Sequence, residues 1–530
     1  MTTLIDTMFR TRRSFLLGWL LSLAALVLLG GVTYPQAYPS DQDLQTLSAD
    51  MASNGGLRAM FGIPAANVSV GSLVAWEIGM FVLILGSVMA IMLAIGLTRG
   101  WEDDGITEIV RSSGVSRQSP TYAAAIVSVV SCALLGVVVT AALLLSRLFT
   151  DDISVTGSAL FGVVVAVSTA TAAGVGLLAA QSFRTARSAK LAALGWLGVM
   201  YAIRAVADMF EIEWLRWLSS LGWRDVVGAF DTNRWWPLLI MVAVVALLVT
   251  ASILTAGRRD LGDVWLATDS STSTKPHTVP GMTRLGLRLR LERQSVIAWG
   301  LVVLGMCAMY AGMTGEMTKL LASSPQTEEL VRQMGLADDL EQIYLTLIST
   351  VLVVLLCCMI VQLMTAIGTE EKKGFVTNMW TAGVRPPQPL FDAALATSLA
   401  TVGIMAVTVP VMALIVNQTA TDSGSASFAA LSMLGQLPAA VAVLGLSMLL
   451  TAAAPQMAWL AWVPLALSGL FTLYGALLKF PQWLLDMSLL AHPMYDSDGW
   501  HWVGPVVLVI IGVVAAALVP MVMARRDMAG

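Results

Sequence analysis

The feature that most constrains this 530-residue chain is its succession of long apolar runs, each long enough to cross a bilayer core and most separated by short polar segments. A hydrocarbon core of about 30 Å takes roughly 20 residues of helix. No water is available there to satisfy a bare backbone, so such runs must be helical. The composition agrees, with 57% hydrophobic and only 12% charged residues; a soluble globular chain carries about 25% charged. Twelve spans are expected, at 14–34, 73–97, 121–146, 156–180, 188–208, 236–256, 296–314, 343–367, 389–416, 427–452, 457–476 and 503–523. The first run is too long for a signal-peptide core and lacks a small-residue cleavage site, so it counts as a span.

Lys and Arg concentrate in the segments that share a side with the N-terminus, among them Arg12, Arg13, Arg117, Arg184, Arg258, Arg259, Arg288 and Arg525. The opposite segments are acidic, with Asp41, Asp43, Asp151, Asp152, Glu328, Asp338 and Asp496. The positive-inside rule then places both termini in the cytoplasm.

The spans divide into two halves of six that repeat in parallel. Arg10-Thr11-Arg12-Arg13 with Trp19 opens the first half, and Arg288 to Arg293 with Trp299 opens the second. Gly257-Arg258-Arg259-Asp260 closes the sixth span and Ala524-Arg525-Arg526-Asp527 the twelfth. The expected organisation is 1–262 for the first half, a Ser-, Thr- and Pro-rich cytoplasmic linker at 263–281, and 282–530 for the second half. The fold class is all-α integral membrane: twelve transmembrane helices as two parallel six-helix repeats, with short interfacial and re-entrant helices. Thr2–Arg13 and a weaker stripe over Thr283–Ser295 suit interfacial helices. Trp-rich Glu211–Trp223 and Pro481–Pro493 suit short helices at or dipping into the outer interface.

A second repeated element follows the second span of each half. In the first, Glu102-Asp103-Asp104-Gly105 precedes Gly114-Val115; in the second, Glu370-Glu371-Lys372-Lys373-Gly374 precedes Gly383-Val384. The segment Arg99–Gln118 reads as a helix with Glu102, Asp103 and Asp104 in its first turn, where carboxylates favour the positive helix end. Glu108 and Arg111 are spaced to pair, and Gly114 is placed to end the helix. Both segments are expected to be reachable by a soluble partner. Lys372 and Lys373 make the second copy electrostatically different from the first.

Three ionisable residues are candidate intramembrane polar groups: Glu77 near the outer end of span two, and Arg204 with Asp208 on span five, four residues apart and expected to pair. All three are placed near an interface. The four cysteines, Cys132, Cys307, Cys357 and Cys358, lie in apolar runs without metal-ligand spacing and read as free core thiols. With only three histidines, a metal site is not expected. No phosphate-cradling Gly-x-x-x-x-Gly-Lys-Ser/Thr motif occurs.

Together these residues resemble the membrane subunit of type-2 ABC exporters, in the double-length, twelve-span form similar to permeases for polyketide antibiotics such as tetronasin. The resemblance covers the whole chain, including Tyr201–Asp208 and both Arg-Arg-Asp endings. It implies a transport subunit rather than an enzyme, in the bacterial plasma membrane, moving hydrophobic or amphipathic compounds outward. It also implies two copies of a separate nucleotide-binding ATPase, which would bind ATP and Mg; this chain would hold no cofactor itself. Membrane lipid and a hydrophobic small molecule would be its other partners, and nucleic acid would not. Glu102, Asp103, Asp104, Gly105, Glu108, Arg111, Glu370, Glu371 and Gly374 would couple to the ATPase. A twelve-span, ion-coupled secondary transporter is the alternative, and a membrane-embedded enzyme or scaffold a third class.

Overall fold

The computed structural model describes every residue except 38–40, 54, 66–67, 261–282, 316, 319–339, 421, 423, 475–480, 498 and 526–530. The protein is an all-α integral membrane protein, with eleven described helices long and apolar enough to span. It forms two compact units, Met1–Thr274 and Lys275–Gly530. The division falls within the expected linker.

The first unit runs α1 (Thr2–Ala37), α2 (Asp41–Ser53), α3 (Gly55–Phe61), α4 (Val70–Leu97), α5 (Arg99–Asp103), α6 (Ile106–Ser112), α7 (Ser119–Ser146), α8 (Val155–Ser182), α9 (Ala186–Met209), α10 (Glu213–Arg216), α11 (Trp223–Val227) and α12 (Pro237–Arg258). The second runs α13 (Arg284–Gly312), α14 (Leu340–Lys372), α15 (Phe375–Thr381), α16 (Gln388–Thr419), α17 (Ser425–Gly435), α18 (Leu437–Ala453), a 3-10 segment (Pro455–Ala461), α19 (Trp462–Tyr474), α20 (Gln482–Leu485), a two-stranded hairpin of β1 (Tyr495–Asp496) and β2 (Gly499–Trp500), and α21 (Val503–Arg525).

Local chemistry explains many of the boundaries. Ser69, Ser154, Thr185 and Thr283 each sit in extended backbone and accept a hydrogen bond from the N–H three residues on, which satisfies an orphan donor of the first turn. In each unit the second span, α4 or α14, packs against most of its neighbours. Small residues set the closest helix contacts. A Cβ on Gly136 of α7 would lie 2.4 Å from the Gly162 carbonyl oxygen of α8. In the second unit, one on Gly445 of α18 would lie 2.0 Å from the Gly512 carbonyl oxygen of α21. Lipid tails supply no hydrophobic drive between helices, so backbone approach of this kind carries the packing.

Several expectations need correction. The segments Thr2–Arg13 and Thr283–Ser295 are not separate interfacial helices: α1 and α13 run unbroken through them into the first span of each half. No helix breaker separates the basic stretch from the apolar one, and Met8 is fully buried with Leu4, Ile5 and Phe9 packed around it. The tenth span is divided at Gln436, where Pro438 opens α18. The range 457–476 holds the 3-10 segment and α19 rather than one long helix among the described residues. Between the first and second spans lie two short helices that the sequence reading did not assign, α2 and α3. The Trp-rich segments do hold short helices, as expected: the one-turn α10 and α20, each separated by turns from the next element, α11 or the β1–β2 hairpin.

Candidate functional site: the glycine-bounded helices

The acidic-glycine segments fold into the same device in both units. Gly105 (φ 74°, ψ 0°) opens α6, and Gly374 (φ 77°, ψ 0°) opens α15. Each helix has seven residues. Gly114 (φ 85°) and Gly383 (φ 89°) follow their ends, and the Gly114 N–H donates to the Arg111 carbonyl oxygen at 3.1 Å. All four glycines hold a left-handed backbone that an L side chain enters only at a cost. One residue of each helix is buried, Thr107 in α6 and its counterpart Val376 in α15. On the outer faces Ile109 is 72% exposed and Phe375 60%.

The single helix expected over Arg99–Gln118 is thus two, α5 and α6, broken at Gly105. Glu102 and Asp103 close α5 instead of opening the segment. In the second unit Glu370 and Glu371 belong to the last turns of α14.

The carboxylates also have different tasks. Glu102 turns inward: its Oε2 lies 3.1 Å from Arg99 Nη1 and 2.6 Å from Arg259 Nη2. Arg99, 2% exposed, donates through Nε and Nη2 to the Arg184 carbonyl oxygen at 2.9 and 2.6 Å. Asp103 accepts the Ala186 N–H at 2.7 Å. This cluster ties α5 to the ends of α8, α9 and α12 and leaves the Glu102 side chain only 10% exposed. The expected Glu108–Arg111 ion pair does not form. Glu108 is exposed, and Arg111 Nη2 donates to the Arg117 carbonyl oxygen at 3.3 Å. Burial, and next the neighbouring Arg117, draw the Arg111 guanidinium below its ordinary value, while Glu102 opposes them.

The second unit uses other residues for the same purpose. Arg288 of α13 donates to both carboxylate oxygens of Glu370 at 2.8 and 2.7 Å and pairs with Glu292 at 2.5 Å. In the first unit Arg12 reaches the Gly96 carbonyl oxygen at 3.1 Å. The basic entry to each half is thereby tied to the end of its second span. Lys372 donates to the Gln456 carbonyl oxygen at 3.2 Å.

At the other end of the first unit, Arg204 and Asp208 pair at 3.4 Å as expected, and both side chains are fully buried in the protein. Arg216 contacts Asp208 at 2.8 Å, and Arg204 donates to the Ala59 and Met60 carbonyl oxygens. Arg224, missed in the sequence, donates to the carbonyl oxygens of Ala75, Trp76 and Phe61 and to Asp225. These arginines bond the last carbonyls of α3 and two carbonyls in the N-terminal part of α4, which gives the buried charges partners. Glu77 is bonded by the Tyr34 hydroxyl. The four cysteines are unbridged.

Residues 282–522 match the family model described as the C-terminal domain of the multidrug efflux system permease Rv1217c. Over 500 residues the chain is 28% identical to the multidrug efflux system permease protein Rv1217c of Mycobacterium tuberculosis (strain ATCC 25618 / H37Rv), covering 92% of this chain and 88% of that one. The likeness therefore extends through both units.

Proposed function

We propose that this chain is the permease of an efflux system for amphipathic, drug-like compounds, driven by ATP hydrolysis in a separate subunit. The observation that carries the reading is the glycine-bounded helix that recurs after the second span of each unit, with matching backbone angles and an exposed apolar residue. The similarity to a mycobacterial multidrug efflux permease over most of both chains supports it. An ATPase subunit would engage α6 through Asp104, Glu108 and Ile109, and a second copy would engage α15 through Phe375. Glu102 and Glu370 would transmit the displacement, because each ties its segment to another helix of its unit. The chain would lie in the bacterial plasma membrane with both termini cytoplasmic, as its basic segments favour. ATP and Mg would be held by the partner, and polyketide-type substrates are within the class expected.

The test is to purify the tagged chain gently from native membranes and to measure bound ATPase and ATP turnover. A stoichiometric ATPase whose turnover rises with drug supports the reading. A solitary chain that moves drug down a proton gradient without ATP would refute it. Reversing Asp104 and Glu108 to Lys is expected to separate ATP turnover from transport in a folded protein.

A further inference from the structure

Behind α6 lies a polar cavity of about 370 Å³ including its open mouth, with the Glu102–Arg259 ion pair in its wall. The ends of α4, α7, α8 and α12 converge on it. Its depth is marked by exposure: Gln181 (2%) and Thr98 (8%) form the floor, while Arg117 (62%) and Asp260 (77%) stand at the mouth. Arg111 and Arg259 line the wall between.

Two buried atoms of these lining residues have no hydrogen-bond partner within the protein: the donor Arg111 Nε and the acceptor Gln181 Oε1. Leaving either unmet costs about 1–3 kcal/mol, and a group that both accepts and donates would satisfy the pair. Three guanidinium groups, Arg111, Arg117 and Arg259, face two carboxylates, Glu102 and Asp260, an excess of one positive charge. The cavity opens beside the basic end of α12, where anionic headgroups collect on a membrane surface.

We propose that this cavity binds a phosphate ester bearing a hydroxyl group, with a glycerol- or inositol-type anionic phospholipid as the favoured source. The phosphate sits at the mouth, where it accepts from Arg117 and Arg111. Such charge-assisted bonds are the strong ones. The hydroxyl reaches inward and donates to Gln181. A choline headgroup has no hydroxyl to donate and carries a compensating cation, so phosphatidylcholine is excluded.

Native mass spectrometry of the intact protein tests this after exchange into phosphatidylglycerol, phosphatidic acid or phosphatidylcholine. The wild type is expected to retain one phosphatidylglycerol about tenfold better than phosphatidylcholine. Arg111→Gln with Arg117→Gln should abolish that preference. Gln181→Leu, which changes no charge, should abolish the preference for phosphatidylglycerol over phosphatidic acid and leave both above phosphatidylcholine. If the arginine variant does not fold, Gln181→Leu carries the test alone. Glycerol 3-phosphate added in phosphatidylcholine discs separates the sources: equal protection of the wild type against thermal unfolding assigns a soluble ester, and protection by the lipid alone assigns the membrane. Equal retention of all three lipids with no protection by glycerol phosphate overturns the site.

Discussion

Replacing Glu102 by Gln keeps the shape of the side chain and removes its charge. In the wild type this carboxylate is 10% exposed and bonded to Arg99 (2% exposed) and Arg259 (10% exposed). Gln retains one acceptor oxygen, so part of the bonding survives. Hydrogen bonds to charged groups contribute about 1.5–3 kcal/mol, and removing one partner of a buried ion pair costs about 3–5 kcal/mol. With the retained oxygen the expected loss is about 2–4 kcal/mol. For a unit of this size each kcal/mol moves the midpoint by about 3 °C, so thermal unfolding in mild detergent should shift down by about 6–12 °C. Glu108→Gln, six residues on and exposed, is the control and should stay within about 0.5 kcal/mol. In the double variant Glu102→Gln/Arg259→Gln the two losses should be less than additive, because the second change removes a cation already deprived of its partner. Equal midpoints for Glu102→Gln and the wild type, or an equal loss in Glu108→Gln, would refute the inward-facing assignment.

Other outcomes rest on the same geometry. Gly105→Ala and Gly374→Ala meet no atom within 4 Å of the new Cβ, so each should cost only the left-handed backbone penalty of about 1–2 kcal/mol; Asn, which tolerates that conformation, should cost less, as denaturant unfolding will show. Gly445→Val places a Cβ 2.0 Å from the Gly512 carbonyl oxygen and should destabilise the second unit by about 3 kcal/mol or more, whereas Gly403→Ala, with nothing within 4 Å, should be near neutral in the same assay. Arg224→Lys keeps the charge but loses the planar fork that reaches Phe61, Ala75, Trp76 and Asp225; amide exchange over residues 61–76 should accelerate at least tenfold.

The spans were legible because hydrocarbon thickness imposes a length that sequence displays directly. The repeated glycines were legible too, since a left-handed backbone leaves few residue choices. What sequence could not supply was direction. Glu102 and Asp104 look alike in a run of three acids, yet only the fold brings Arg259, far along the chain, onto Glu102. Arg224 at the other end was hidden for the same reason, whereas Arg204 with Asp208 was readable one turn apart: Arg224 bonds carbonyls on α3 and α4, and carbonyls carry no sequence signature. A local signal for Arg99 did exist, three residues before Glu102 and one turn away on a helix. The continuity of α1 was also readable, because nothing between Arg13 and Phe15 breaks a helix.

The matched backbone of α6 and α15 has a consequence for assembly. Asp103 and Asp104 stand before Gly105 where Lys372 and Lys373 stand before Gly374. Two identical partner subunits would meet the same backbone shape twice but different charges, acidic before Gly105 and mixed before Gly374, so one surface potential does not suit both equally. Under the proposed function, the two seats would bind the same partner with different affinities, a difference that added salt would reduce. A pair of non-identical partner chains would remove that conflict, and the charge on each chain's docking surface would then record which half it serves.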